Sequence, residues 1–316
     1  MTKNISVTGA TGFVGRHLLE SLSRRRNINV CALAFSTPKN QLPQLDNVTW
    51  IHGDLGNPNV AIQLCARGST LIHLAYPPDW SPQAHLESIN RLAEIAASRG
   101  VGRVIHCSTA VVVGASPEPH VTETTPLEPK NQYEKTKLRL ETEWIKQASG
   151  KFDLAIARPT AVFGPGSRNL LSLANALTKG NPLVNYLRSS LFGKRRMNLV
   201  CVKNVVSAIG FLAERERSCD GKAFLISDDD DPLNNFRDVE RILRSGLGVD
   251  HMRPPALPVP AGILKLLLRA SGRSNVNPQR TYDGSALRDA GWRKACNLKE
   301  GLHEFAGWFK TTRGAS

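Results

Sequence analysis

Within its first 22 residues the chain changes chemistry in a way that few folds accommodate. Ile5-Ser6-Val7-Thr8 is a short β-branched run; Gly9, Gly12 and Gly15 follow three apart; and Val14, Leu18, Leu19 and Leu22 then recur at helical spacing. A period of two giving way to a period of 3.6 across closely spaced glycines predicts a strand, a tight turn and a helix. A Cβ at Gly9 or Gly12 would keep a pyrophosphate away from the backbone, and one at Gly15 would hold the helix off the strand. With Thr11, Phe13 and Val14 the loop offers unpaired amides at the positive end of a helix dipole, an anion site of the kind that holds a dinucleotide.

The same alternation continues. Strand-like runs are expected at Ile28–Phe35, Val48–Leu55, Thr70–Ala75 and Arg103–Thr109, with a helix at Leu86–Ala97 between the last two. Strands that are apolar throughout and alternate with helices predict a parallel sheet buried on both faces, with ligands at the carboxyl ends of its strands. The glycine loop, Asp54, Ala75 and Thr109 then share one rim. The second strand ends in Ser36-Thr37-Pro38-Lys39 without the acid that accepts a hydrogen bond from the 2′-hydroxyl of NAD. Ser36 and Lys39 are suited to a 2′-phosphate, which favours NADP over NAD.

Tyr133-Glu134-Lys135-Thr136-Lys137 opens a further helical stretch through Leu138, Leu140, Glu141, Trp144 and Ile145, so Tyr133 and Lys137 share a face. A free tyrosine has a pKa near 10, and a neighbouring ammonium lowers it. A tyrosine so tuned exchanges a proton with an alcohol or ketone while a nicotinamide exchanges the hydride.

These segments together resemble the extended short-chain dehydrogenase/reductases, the NAD-dependent epimerase/dehydratase family of nucleotide-sugar enzymes. The matching motifs are Thr8–Gly15, Gly53-Asp54-Leu55, His73-Leu74-Ala75, Cys107–Gly114, Tyr133 with Lys137, and Arg158–Gly166. The resemblance implies a Rossmann-type doubly wound sheet with a smaller C-terminal substrate domain. It places Asp54 and Leu55 at the adenine, Leu74, Ala75 and Pro159 along the cofactor, and Thr109 at the catalytic Ser/Thr position. Tyr133 becomes the acid/base, and Lys137 holds the nicotinamide ribose while depressing the tyrosine. Val113 departs from the usual tyrosine, which alters the floor of the substrate pocket. Lys203-Asn204 departs from the Asp pair or Asp-Asn of many members, which removes an acidic hydrogen-bonding post.

The later chain is less regular. Leu170–Leu177 reads as helix, Leu183–Arg196 as basic and irregular, Ala223–Ser227 as strand, Asp228–Asp231 as a solvated acidic turn, and Phe236–Leu247 as an amphipathic helix. A proline-rich stretch, Pro254–Pro260, precedes an apolar helix at Ala261–Ala270 with Lys265 and Arg269, expected to pack within the substrate domain, the alternative being a helix resting on a membrane surface. By analogy with nucleotide-sugar epimerases, Arg273 with Arg196 as helper is the candidate clamp for a diphosphate. The expected organisation is a dinucleotide domain at 1–165, with elements near 197–215 interleaved, and a mainly substrate-binding domain at 166–316.

Composition narrows the classes. The net charge of +14 is dispersed apart from Arg24–Arg26 and Lys194–Arg196, and no aromatic-rich basic face accompanies it, so nucleic acid is not the expected partner. No apolar run reaches membrane-spanning length and no signal peptide precedes the first strand, so a cytoplasmic protein is expected. Six cysteines without a CxxC pair read as reduced thiols, with no metal site. The reading is an NAD(P)-dependent enzyme acting at C4 of a UDP-sugar, a homodimer as is common in the family. The late segments resemble bacterial enzymes of surface-polysaccharide (O-antigen) synthesis, and point to a UDP-4-keto-6-deoxy-hexosamine reductase. The alternatives are a UDP-hexose or UDP-N-acetylhexosamine 4-epimerase and a non-catalytic NADP-binding regulator, the latter disfavoured by the Tyr-Lys pair.

Overall fold

The computed structural model describes residues 2–249 and 276–313, which cluster into two compact units. Among the described residues, the first comprises 2–109, 132–158 and 206–224; the second comprises 110–131, 159–205, 225–249 and 276–313.

The first unit is built on strands β1 (Lys3–Thr8), β2 (Ile28–Ala34), β3 (Val48–His52), β4 (Thr70–His73), β5 (Arg103–Cys107) and β7 (Asp153–Pro159). With β10 (Ala223–Ile226) they form a seven-stranded sheet in the order β10-β7-β5-β4-β1-β2-β3. The pairings from β3 to β7 are parallel. From β1 the chain winds outward through β2 and β3, then returns to the other side of β1 with β4. The β1/β4 boundary is therefore the switch point, where the crossovers diverge and leave a crevice at the strand ends. Helices α1 (Phe13–Ser23), α2 (Pro58–Leu64), α3 (Pro82–Arg99) and α4 (Gln132–Ala148) belong to this unit. Leu64, Leu71, Leu92, Val104, Trp144 and Leu154 share one core. Helix α3 starts on Ser81, whose hydroxyl accepts the Ala84 amide at 3.1 Å, and ends on Gly100 in the left-handed region.

In the second unit β8 (Ala161–Phe163) pairs in parallel with β9 (Leu199–Cys201), and β6 (His120–Val121) with β11 (Thr281–Tyr282). Helices α5 (Leu171–Lys179), α6 (Pro182–Phe192), α8 (Phe236–Leu247), α9 (Ser285–Asp289) and α10 (Leu298–Arg313) complete it, and α7 spans Val202–Glu214. Its core gathers Phe163, Leu199, Leu243, Leu302, Phe305 and Phe309.

Three sequence expectations are corrected here. The stretch expected to be irregular from Leu183 is helix α6, because Asn181 accepts the Leu183 and Val184 amides at 2.8 and 3.4 Å and Pro182 occupies the first turn. The acidic run is no solvated turn, since Asp228 and Asp229 are buried. Asp228 accepts the Cys201 amide at 2.9 Å and pairs with Lys294 at 3.1 Å, while Asp229 accepts from Asn198, Asn234 and the Tyr282 amide. At Lys203-Asn204, where the acidic post is missing, a neutral amide makes the hydrogen bonds instead. The Asn204 amide donates to Asp228 at 2.9 Å and to the Cys296 carbonyl, while its oxygen accepts the Ala295 and Cys296 amides. Every hydrogen-bonding position of that buried side chain is used. Val113, expected in a pocket floor, is fully buried with Ala110, Val121, Leu225 and Tyr282.

Candidate active site

At the β1/β4 switch point, Thr8 ties the two strand ends together. Its hydroxyl accepts the Ala75 amide at 3.3 Å and shares a 2.7 Å hydrogen bond with His73 Nδ1. The turn that follows turns back on itself, with the Gly12 amide on the Gly9 carbonyl at 3.0 Å. Gly9 has φ of +68°, and a Cβ there would lie 2.7 Å from the Ala75 nitrogen, so its first duty is to let the turn pass the end of β4. This differs from the sequence expectation, which gave Gly9 to the ligand alone. At Gly15 a Cβ would come within 2.2 Å of the Gly9 carbonyl oxygen, so helix and turn close on each other as expected. Gly12 meets only the Gly9 oxygen, at 3.1 Å, and caps the free amides of α1.

Beside this loop lies a cavity of about 420 Å³. Gly9, Thr11, Gly12, Ser36, Asp54, Leu55, Leu74 and Ala75 line it, together with Leu33, Phe35 and the segment from Tyr76 to Trp80. Phe13, Val14, Gly15, Lys39 and Lys137 are not among its lining residues. The Asp54 carboxylate accepts the Gly56 amide at 2.7 Å, bracing its own turn at the cavity wall. A glycine cradle at a helix start, an apolar slot between Leu33 and Leu55, and a β2 exit that carries serine in place of an acid fit a dinucleotide.

Helix α4 brings Tyr133, Lys137 and Glu141 onto one face, four residues apart. The Thr109 hydroxyl, two residues beyond β5, is hydrogen-bonded to Tyr133. Lys137 is buried, with Nζ 3.4 Å from the Cys107 carbonyl oxygen and 4.1 Å from the centre of the Tyr76 ring. Tyr76 stacks on His85 at 4.1 Å and meets Tyr133 edge-on at 5.5 Å.

One electrostatic expectation is reversed. Lys137 was to depress Tyr133, but its ammonium faces the Tyr76 ring and the Cys107 carbonyl. Although Tyr133 is 44% exposed, desolvation around its hydroxyl pushes that group up to about 12, with Cys107 and Tyr76 adding to the rise and the Thr109 bond opposing it. Tyr133 is therefore a protonated phenol at neutral pH. Lys137 is held below its ordinary value by burial, countered by Cys107 and Glu141. Beneath it the buried Glu141 carboxylate grips Arg158 Nη2 at 2.6 Å and Nε at 3.1 and 3.2 Å. His73, stacked on His106 at 5.5 Å, is pushed down to about 3 by burial and by the positive charge of Lys137, and so stays neutral.

Tyr76, His85 and the Glu141–Arg158 pair were missed from sequence. Glu141 could have been found, standing four residues past Lys137 on the same helical face. Two of the expected substrate and outer cofactor residues belong to the second unit. Pro159 ends β7 in the second unit. Arg196, also in that unit, donates to the Asp231 carbonyl at 3.3 Å. Arg273 and the Ala261–Ala270 stretch fall outside the described residues.

Residues 5–227 match the NAD-dependent epimerase/dehydratase family, and the chain belongs to it and is an enzyme of that family. A UDP-glucose 4-epimerase from Vibrio cholerae is 27% identical over 97% of this chain and 95% of its own length. A decarboxylating sterol-4-alpha-carboxylate 3-dehydrogenase from Mus musculus is 28% identical over 76% of this chain and 68% of its own. Among solved structures, the Bordetella bronchiseptica enzyme WbmG in complex with NAD superposes with a TM-score of 0.73 at 16% identity, covering 99% of this chain and 95% of that one. The last likeness is one of fold.

Proposed function

We propose that this member of the NAD-dependent epimerase/dehydratase family interconverts alcohol and ketone at C4 of a UDP-hexosamine, acting as a reductase of a UDP-4-keto-6-deoxy-N-acetylhexosamine. The observation that carries the chemistry is the hydrogen-bonded Thr109–Tyr133 pair standing one helical turn from buried Lys137, on the same unit as the glycine cradle. Gly9, Thr11 and Gly12 would hold the diphosphate of NADP or NAD, Ser36 the adenosine ribose, Asp54 and Leu55 the adenine, and Leu74, Ala75 and Lys137 the nicotinamide end. The bound dinucleotide supplies the electron pair of the reduction.

The chain handles the proton. Tyr133, protonated at neutral pH because its phenolate is poorly solvated, donates to the developing alkoxide at C4. Thr109 then aims the phenol and shares the oxygen's negative charge. The positive charge of Lys137 lowers the cost of the phenolate left behind. A tyrosine resting in its acid form is the partner a ketone needs, which supports the reductive direction, as does the β2 exit without an acid. The full-length likeness to a UDP-glucose 4-epimerase supports the second reading, a 4-epimerase.

One experiment separates them. The purified protein is given NADPH and a UDP-4-keto-6-deoxy-N-acetylhexosamine, and in parallel UDP-N-acetylglucosamine without reductant. Stoichiometric NADPH oxidation in the first is the expected result. Conversion of UDP-N-acetylglucosamine to its C4 epimer, with cofactor carried through purification, would replace the reductase by the epimerase. No reaction with either would remove the nucleotide sugar.

A further inference from the structure

Helix α6 is anchored inward by one polar and one aromatic side chain: Asn185 is buried and donates to the Ala176 carbonyl in the last turn of α5, and Phe192 meets Phe236 at 5.4 Å. Its outward face is aliphatic: Leu183, Val184 and Leu187 are 64%, 53% and 55% exposed and, at positions i, i+1 and i+4, form one stripe that Leu191 extends. Helices on a globular surface ordinarily present polar side chains there, because each exposed leucine forgoes the stabilisation of burial.

The chain segment that carries the stripe is charged with one sign only. From residue 154 to residue 213 the chain has no aspartate or glutamate and eight lysines and arginines. Lys179 ends α5, Arg188 sits one position after Leu187 on the flank of the stripe, and Lys194 and Arg195 follow the last turn. Helix α8, which packs against α6, adds Arg237, Arg241 and Arg244 against Asp238 and Glu240. A second copy of the chain meeting this face through a two-fold axis would set these cations against themselves. A nucleic acid would satisfy the cations and offer nothing to three aliphatic side chains. The surface that satisfies both is apolar just beneath an anionic layer.

We propose that the outward face of α6 docks on the surface of an anionic phospholipid bilayer, with Leu183, Val184 and Leu187 in the acyl boundary and Arg188 and Lys194 among the headgroup phosphates. An amphipathic helix with aliphatic and basic sides lies in the interface plane in this way, and none of the helices among the described residues is long and apolar enough to cross a membrane. The attachment is peripheral and reversible.

Co-sedimentation of the full chain with vesicles tests it. Vesicles of phosphatidylcholine and phosphatidylglycerol in equal parts are compared with phosphatidylcholine alone, at low and at physiological salt. The protein is expected to pellet with the anionic vesicles, to remain in solution with the neutral ones, and to bind less as salt rises. The double variant Leu183→Ser/Leu187→Ser lowers the partition coefficient by on the order of tenfold or more, and Arg188→Ala or Lys194→Ala by roughly fivefold each. All four positions are remote in sequence from the Tyr133–Lys137 machinery, so turnover on soluble substrate and the circular dichroism melt serve as controls for folding. Failure to pellet with anionic vesicles, equal binding to neutral ones, or binding undiminished in the leucine double variant overturns the proposal.

Discussion

Replacing Glu141 by leucine probes the layer beneath Tyr133 and Lys137. The carboxylate and its partner Arg158 have side chains only 2% and 8% exposed, held by contacts of 2.6, 3.1 and 3.2 Å. Removing one charge of such a pair leaves the other buried and uncompensated, at about 3–5 kcal/mol. That is a large share of the ~5–15 kcal/mol by which a domain is stable. Arg158→Met should cost a similar amount. The double variant Glu141→Leu/Arg158→Met should lie close to wild type, because a desolvated pair attracts little more than it loses on leaving water. Urea titration of the four proteins in a double-mutant cycle measures all three quantities. Single variants costing under about 1 kcal/mol, or a double variant as unstable as the sum of the singles, would refute the reasoning. Glu141 also sustains the charge on Lys137. In a double variant that folds, the alkaline fall in turnover should therefore begin at lower pH than in wild type.

Tyr133→Phe should reduce turnover ~10²–10⁴-fold while calorimetric titration with the dinucleotide stays unchanged, because only the exchangeable proton is removed. With Ser36 and no acid at the exit of β2, NADP(H) should bind at least as tightly as NAD(H), and a strong NAD preference in the same titration would refute that assignment. His73 is pushed down to about 3 against an ordinary 6.5, so between those values the unfolded chain binds more protons and stability falls as pH falls, by about 1.4 kcal/mol per pH unit. Buried Asp229, raised to about 6, works the other way between its ordinary value and 6. The contribution of His73 is therefore read as the difference in slope between wild type and His73→Gln in urea midpoints from pH 7 to 5, and equal slopes would dismiss it. Gly15→Ala should fail to fold or lose several kcal/mol, since its Cβ would stand 2.2 Å from a backbone oxygen that belongs to the turn, and a melt within a degree or two of wild type would contradict the packing.

What the sequence made legible was periodic and local. Strands β1 to β5, the glycine turn and the Tyr133–Lys137 face are written in spacings of two and four, which backbone geometry reads directly. Residues 228–231 show where that ends. Four consecutive aspartates look solvated in one dimension, and only the long-range placement of Asn198, Asn204, Asn234 and Lys294 makes two of them a buried hydrogen-bonding hub. Helix α6 failed for a different reason. Its Asn-Pro start was readable, but its outward-facing leucines gave a pattern of burial that the fold does not follow. Tyr76 had no spacing to announce it, because its partners His85, Tyr133 and Lys137 come from two separate helices, α3 and α4.

The reversal at Tyr133 changes what Lys137 is for. A lysine that depressed the resting tyrosine would leave a phenolate before substrate arrives, the wrong form for reducing a ketone. Here the ammonium is parked on the Tyr76 ring, whose face attracts a cation without donating a proton to it. Tyr133 meanwhile rests protonated, hydrogen-bonded to Thr109. Under the reductase reading proposed above, the positive charge would matter most after the proton has left, when a phenolate exists to be stabilised, and an interaction that strengthens as the reaction proceeds accelerates it where a uniform one would not. Tyr76→Leu removes the cation's resting place and Tyr76→Phe keeps it. The leucine variant should lose kcat with KM little changed while the phenylalanine variant stays near wild type, and equal losses in the two would show that the ring holds Lys137 by something other than its face.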